Sequence, residues 1–378
     1  MKISLLTNGI YPYVIGGMQK HSFNLAKHLA KNKIHVDVYH PTSNNDINIE
    51  NYFVDEELDY LSFIVIPFPK TPKFPGHYIY ASYLYSKALY NKIDLTEAPN
   101  VIYAQGFTAW YFLKKNPFLN NLISNLHGLE MFQYSINLKN KLEQFLLRIP
   151  AKTIIKNANL QVSLGGKLTN ILYLNKAKNN SVIEIPNAID DSWLSNKVDF
   201  NDTSEKLKLV FIGRYERRKG IEEFHNVIKN TIDSLNYEVQ FVGPIPKEKQ
   251  IKHHNVKYLG TIHDSNEIKK ILYNSDIMVC PSFSEGMPTV IIEAMTCGCA
   301  IIATDVGAVS EMVDKNNGWL LKASNIETGL SIAIHEAIKS SQLDKLKQNS
   351  IEKAKNFQWD CVIQTLIKNL LIDTTSLS

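Results

Sequence analysis

Glu285 and Glu293 stand eight positions apart in the run from Asp276 to Val313, DIMVCPSFSEGMPTVIIEAMTCGCAIIATDVGAVSEMV. Ile277 to Cys280 reads as a buried strand, followed by a loop that carries Glu285 and Gly286. A helix opening at Pro288 carries Glu293, and Ala300 to Ala303 reads as a second buried strand. Proline in the first turn of a helix gives up no hydrogen bond, because the N–H there has no partner anyway. The helix start therefore turns open N–H groups and the positive end of its dipole toward the loop, which suits an anion such as a diphosphate. Two carboxylates beside an anion site suit hydroxyls better than phosphate. A molecule with hydroxyls at both ends and a diphosphate between them is a nucleotide sugar.

More charge gathers upstream. The strand Leu207–Ile212 runs into Gly213-Arg214-Tyr215-Glu216-Arg217-Arg218-Lys219-Gly220. Gly213 lets backbone come close to a ligand, and Arg214 and Lys219 can neutralise the charge that develops on a departing diphosphate. Arg217 and Arg218 read as a solvated basic turn. Near the start, Asn8 to Gly17 (NGIYPYVIGG) joins a strand to a helix that carries His21. The G-x-G-x-x-G spacing and the downstream ribose acid are absent, so this is no dinucleotide fingerprint. His127-Gly128-Leu129-Glu130 closes the strand Leu122–Leu126, Ser163 and Lys167 close the next one, and Asn187 lies at the expected hinge.

These loops need strands to hold them, and two series supply them. The first runs near Ile3–Thr7, His35–Tyr39, Phe63–Pro67, Val101–Ala104, Leu122–Leu126, Leu160–Ser163 and Val182–Ile185. The second runs near Leu207–Ile212, Tyr237–Val242, Val256–Leu259, Ile277–Cys280, Ala300–Ala303 and Trp319–Leu321. Runs apolar on both faces suit parallel sheets covered by helices, and their alternation with helical patterns predicts two doubly wound α/β domains. Ligands bind such sheets beyond the carboxyl ends of the strands, where all the candidate loops fall. Helices are expected over Asn325–Ser341, Leu343–Phe357 and Trp359–Leu371, the last with an apolar stripe of Val362, Ile363, Leu366, Ile367 and Leu370. A polar linker is expected over Ser195–Glu205, inside a hinge from Pro186 to Lys206, and a frayed end over Thr374–Ser378.

The string from Ser284 to Thr289, with Glu293-Ala294-Met295 and Ala303 to Gly307 after it, resembles the Glu-x7-Glu signature of retaining GT-B glycosyltransferases, especially family 4. The resemblance is specific over 207–313 and looser over 1–187. It implies the GT-B fold: two Rossmann-like domains facing a cleft, 1–187 and 188–357, with a C-terminal segment 358–378 returning to the first. It implies a retaining hexosyl transfer from a nucleotide-diphosphate sugar to a glycan or lipid-linked acceptor, as in surface polysaccharide or glycoconjugate synthesis. His127, Arg214, Lys219 and Glu285 would form the catalytic set. Gly16, Gly17, Gly213, Ile262, Gly286, Met287, Pro288, Thr289 and Glu293 would hold the donor, with Glu293 on the ribose diol and Glu285 on the sugar hydroxyls. His21, Glu130, Ser163 and Asn187 would line the acceptor side. The base is read through backbone atoms after Leu259-Gly260, so uridine, guanosine and adenosine all stay open, uridine being the commonest by analogy. The Asp-x-Asp metal motif is absent, so neither a cofactor nor a metal is expected. A GT-B epimerase or hydrolase and a non-catalytic nucleotide- or glycan-binding protein are the alternatives.

Length and composition agree with this reading. A chain of 378 residues with 44% hydrophobic and 21% charged residues has room for two or three cores. No apolar run approaches the roughly 20 residues that cross a bilayer, and MKISLLTNGIYP reads as a first strand, not as a signal segment. Cys280, Cys297, Cys299 and Cys361 show neither zinc spacing nor a disulfide framework, which points to a reducing cytoplasm. Residues 1–185 hold 19 Lys and Arg against 12 Asp and Glu, and the remainder 22 against 25. The basic half includes a Lys- and Tyr-rich run, Pro67 to Lys92, and an amphipathic stretch, Leu138 to Lys156. Leu138, Leu142, Phe145, Leu146 and Ile149 share one face of that stretch, amid Lys139, Lys141, Arg148, Lys152 and Lys156. Both segments suit either a cover for the first sheet or a peripheral contact with anionic lipid on the inner face of the cell membrane. Nucleic acid is not an expected partner, since no clustered basic helix or nucleic-acid module is present.

Overall fold

The computed structural model describes residues 1–42, 46–93, 101–117, 119–135, 137–175, 177, 181–193 and 206–375. The expected linker Ser195–Glu205 and the last three residues of the chain lie outside the described residues. Two compact units form: Met1–Asn187 with Trp359–Ser378, and Ala188–Gln358.

The first unit is built on β1 (Lys2–Leu6), β2 (His35–His40), β3 (Leu61–Val65), β4 (Val101–Gln105), β5 (Leu122–Asn125), β6 (Leu160–Ser163) and β7 (Val182–Glu184). They form one parallel sheet in the order β3-β2-β1-β4-β5-β6-β7. The second unit carries β8 (Leu207–Ile212), β9 (Tyr237–Val242), β10 (Val256–Gly260), β11 (Ile277–Cys280), β12 (Ala300–Thr304) and β13 (Gly318–Leu321). Its order, β10-β9-β8-β11-β12-β13, repeats the pattern of the first sheet, again all parallel. Parallel neighbours need long crossovers, and helices supply them on both faces. The central strands are therefore sealed: Ile3, Leu5 and Leu6 of β1 and all of β12 are buried. Truncating one such aliphatic typically costs about 2–5 kcal/mol.

In each sheet the chain reverses direction at one place, between β1 and β4 and between β8 and β11. The loops leaving those strands splay apart there, which opens a crevice for ligands. The C-terminal helix Trp359–Thr375 belongs to the first unit, where Trp359, Val362, Ile363, Leu366 and Leu370 are buried. It packs on helix Gly17–Lys31: Trp359 stacks on His28 with ring centres 5.1 Å apart, and Gln364 donates to Asn32 over 2.8 Å. One expectation needs moving by a residue. Pro288 is not in the first helical turn but caps it in an extended conformation (ψ 112°), and its carbonyl accepts from the Ile291 N–H at 3.1 Å.

Candidate active site

In the second unit the site is assembled by two loops that touch. The loop after β8 ends in a 3-10 turn, Arg217–Lys219, and Gly220 follows in the left-handed region at φ 65°. A Cβ on Gly220 would lie 1.8 Å from the carbonyl oxygen of Pro281, the first residue after β11. Only glycine permits that approach, and the Phe283 N–H then donates to the Arg218 carbonyl at 2.7 Å. Gly307, after β12, plays the same part from the other side: at φ 55° its Cβ would meet the Glu285 carbonyl at 2.2 Å.

This contact brings Lys219 to Glu285. The Lys219 Nζ donates to Glu285 Oε1 at 2.6 Å, and Ser282 Oγ donates to the same oxygen at 2.8 Å. Arg218 Nη1 stands 3.8 Å from the other oxygen, and the carboxylate is buried. Arg218 also holds Glu216 at 2.8 Å, while Arg217 grips Glu223 with both terminal nitrogens and lies over the Phe283 ring at 4.9 Å. Arg217 and Arg218 keep part of the exposure expected of a basic turn, at 39% and 34% along their side chains, and also brace the loop, because their carboxylate partners sit on the same turn and on the helix after it. Arg214 is the most exposed of these cations, 68% accessible along its side chain, and pairs with Glu216 at 3.0 Å.

Behind Glu285, Gly286, Met287 and Pro288 lead into helix Thr289–Thr296, with Met287 and Pro288 buried. Glu293 lies in the second turn of that helix, half-buried. The first turn of any helix leaves N–H groups without intrahelical partners, so the loop faces a partial positive charge. Gly213 directly follows β8, and Ile262 lies two residues past β10, half-buried.

The first unit has its own constellation, and it carries little charge. Gly16 caps helix Gly17–Lys31 in extended backbone, and a Cβ on Gly17 would meet nothing within 4 Å. His21, on that helix, stands edge-on to His127 with ring centres 5.1 Å apart, and 5.4 Å from the Trp359 ring. Burial lowers the His21 pKa to about 4. The His127 pKa is held well below its ordinary value by desolvation first and by His21 second. Both imidazoles are therefore neutral near pH 7 and can exchange hydrogen bonds with hydroxyls without presenting charge. The backbone here is strained: His127 at φ 55° and Leu129 at φ 50° occupy a region that residues other than glycine seldom visit. The His127 N–H is held by Asn125 Oδ1 at 2.9 Å.

Gln105, Ser22 and Ser282 were not singled out in the sequence. Gln105 closes β4, and its Oε1 accepts from Ser22 Oγ at 2.5 Å and lies 3.4 Å from His127 Nε2. A polar residue ending an all-apolar strand run was the available signal. Other expected residues stand apart from this cluster. Glu130 is exposed and opens the 3-10 turn Glu130–Phe132. The Ser163 hydroxyl pairs with Thr169 Oγ1 at 2.8 Å and accepts from the Gly165 N–H, so it is committed to its own turn. Asn187 is half-buried at the end of the first unit.

Comparison with known proteins agrees with the fold. Residues 15–193 match the profile of the family described as Glycosyltransferase Family 4, and residues 206–340 match that of Glycosyl transferases group 1. An uncharacterized glycosyltransferase of Methanocaldococcus jannaschii is 28% identical over 375 residues, covering 96% of each chain. The N,N'-diacetylbacillosaminyl-diphospho-undecaprenol alpha-1,3-N-acetylgalactosaminyltransferase of Campylobacter jejuni is 27% identical over 169 residues, 43% of this chain and 44% of that one. Among solved structures, Anabaena HepE in complex with UDP superposes with a TM-score of 0.68 at 16% identity, covering 98% of this chain and 99% of that one. Two parallel sheets of Rossmann-like order in two units give the GT-B fold, and the profile matches and the full-length relative make this a glycosyltransferase. The chain belongs to glycosyltransferase family 4.

Proposed function

We propose that this enzyme moves a hexose from a nucleoside-diphosphate sugar, UDP- or GDP-linked, to a glycan or lipid-linked acceptor, with retention of anomeric configuration. The acceptor is presented at an anionic membrane face during surface polysaccharide or glycoconjugate synthesis. The observation that carries the reading is the Lys219–Glu285 pair, held at 2.6 Å beside the start of helix Thr289–Thr296. When a donor enters, its diphosphate takes Lys219 and its sugar hydroxyls take Glu285, so each partner exchanges the other for a ligand group of suitable charge. Arg214 swings from Glu216 to the phosphates, and the N–H groups from Gly286 to Thr289 face the bond between sugar and phosphate. Glu293 holds the ribose diol, and the turn carrying Ile262 receives the base.

As the anomeric bond breaks, negative charge grows on the departing diphosphate, where Lys219, Arg214 and the helix start stabilise it. The acceptor hydroxyl attacks the same face and passes its proton to the leaving phosphate oxygen, so neither a carboxylate nucleophile nor a divalent ion is required. His127 and His21, neutral and in the first unit, hydrogen-bond sugar or acceptor hydroxyls. The UDP bound to HepE and the undecaprenol-linked substrate in the Campylobacter enzyme's name support this choice of donor and acceptor class. A thermal-shift panel of UDP, GDP, ADP and their sugar conjugates, run in EDTA, tests the reading. One nucleotide series should raise the melting temperature; a flat response to all of them, or a shift only with added metal, would overturn it.

A further inference from the structure

Helix Leu138–Asn157 shows its apolar stripe to the outside. Leu138 is 85% exposed, Leu142 63%, Phe145 60% and Ile149 55%. Spacings of four, three and four residues put these side chains on one line along a helix, roughly 16 Å long at 1.5 Å per residue. Lys152 and Lys156 extend the same line, with Lys141 beside it, all exposed. The opposite side seats the helix: Pro150, Ala151, Ile154 and Ile155 are buried, Asn137 caps the start by accepting from the Asn140 N–H, and Arg148 Nε donates to the Met131 carbonyl at 2.7 Å. Single exposed apolar residues are ordinary on a protein surface, but four in register on one helix are not.

We propose that this line is a docking surface for an anionic lipid bilayer. The apolar turns enter the boundary between headgroups and acyl chains, and Lys141, Lys152 and Lys156 meet the acidic headgroups. Charge decides between a bilayer and a second copy of the chain. The exposed charges along the line are all positive, while Glu143 lies roughly 140° around the helix, so two such faces would repel where their lysines met. An anionic surface matches both halves of the line at once. The inference rests on the proposed membrane-side acceptor for its purpose but not for its test, since flotation reads binding without turnover.

The test is flotation of the full chain with phosphatidylcholine vesicles, with and without phosphatidylglycerol, at low and high salt. The protein should float with phosphatidylglycerol vesicles at low salt and stay down with phosphatidylcholine alone. Leu142→Glu/Phe145→Glu should abolish flotation while keeping the melting temperature and the nucleotide-induced shift, because both side chains are exposed. Lys152→Gln/Lys156→Gln should bind about 25-fold more weakly, at about fivefold per basic residue near such a surface. Wild-type protein that never floats, or a Leu142→Glu/Phe145→Glu protein that floats like wild type, would overturn the proposal. So would sedimentation showing that the double variant turns a dimer into monomers, which would give the stripe to a second copy.

Discussion

The two units share a strand order and a place for ligands, yet they furnish that place in opposite ways. At the reversal of the second sheet the buried Glu285 carboxylate meets two cations, Lys219 and Arg218, and the Ser282 hydroxyl. Beside the reversal of the first sheet stand His21, His127, Gln105 and Ser22, with both imidazoles kept neutral by burial. The same strand order therefore carries a cluster suited to an anion in one unit and a cluster suited to hydroxyls in the other. Topology says where a ligand goes, and the side chains at the strand ends decide its chemistry.

The largest expected effect would fall on the charged cluster. Lys219→Ala should lower turnover on the order of 10²–10³ fold, the usual cost of losing one charge-stabilising contact. It also strips the buried Glu285 of its closest cation, a loss on the order of 1–3 kcal/mol in stability. Lys219→Ala/Glu285→Gln should recover the stability but not the turnover. If Lys219→Ala turned over normally with an intact fold, the charged cluster would have no part in the chemistry.

Acid should strike next. A buried neutral imidazole gains its proton later than the same group in the unfolded chain, so its contribution is complete above pH 6.5 and shrinks as pH falls toward about 4. For His21 that amounts to on the order of 3 kcal/mol. His225, in the second unit and also lowered to about 4 by burial, contributes in the same direction. Denaturant midpoints measured across this range for wild type, His21→Asn and His225→Asn would apportion the loss, and a wild-type slope in His21→Asn would clear His21.

The smallest effect sharpens the contrast. Gln105→Leu removes the contacts to Ser22 and His127 and should cost on the order of 1 kcal/mol, while leaving the nucleotide-induced thermal shift intact. If that variant abolished the shift, the division between a charged and a neutral cluster would fail.

Most of the fold could be read in advance because parallel strands buried on both faces leave nearly unbroken apolar runs, ended by glycine or by polar loops. All thirteen strands among the described residues fall where such runs lie, four of them to the residue and the rest with ends shifted by one or two residues. The charged cluster of the second unit was legible for a related reason: Arg214 to Gly220 and Glu285 to Glu293 are compact local strings that follow strands. The neutral cluster of the first unit was less so. Ser22 and Gln105 are 83 residues apart, and neither type is unusual, so only their meeting gives them meaning. The bracing by Arg217 and Arg218 was missed because a run of cations looks the same whether it faces water or carboxylates.

Local chemistry alone determined the two α/β series, the loops after their strands, the glutamates of the Glu-x7-Glu string and the amphipathic pattern from Leu138 to Lys156. Each depends on periodicity or short spacing, which a linear chain carries in full. Tertiary structure decided that Gly220 would let Lys219 reach Glu285, and that Trp359 would stack beside His21 and His28. It also decided that the Leu138–Ile149 stripe would face outward. Those outcomes depend on which surfaces the rest of the chain covers, and no short stretch of sequence holds that information.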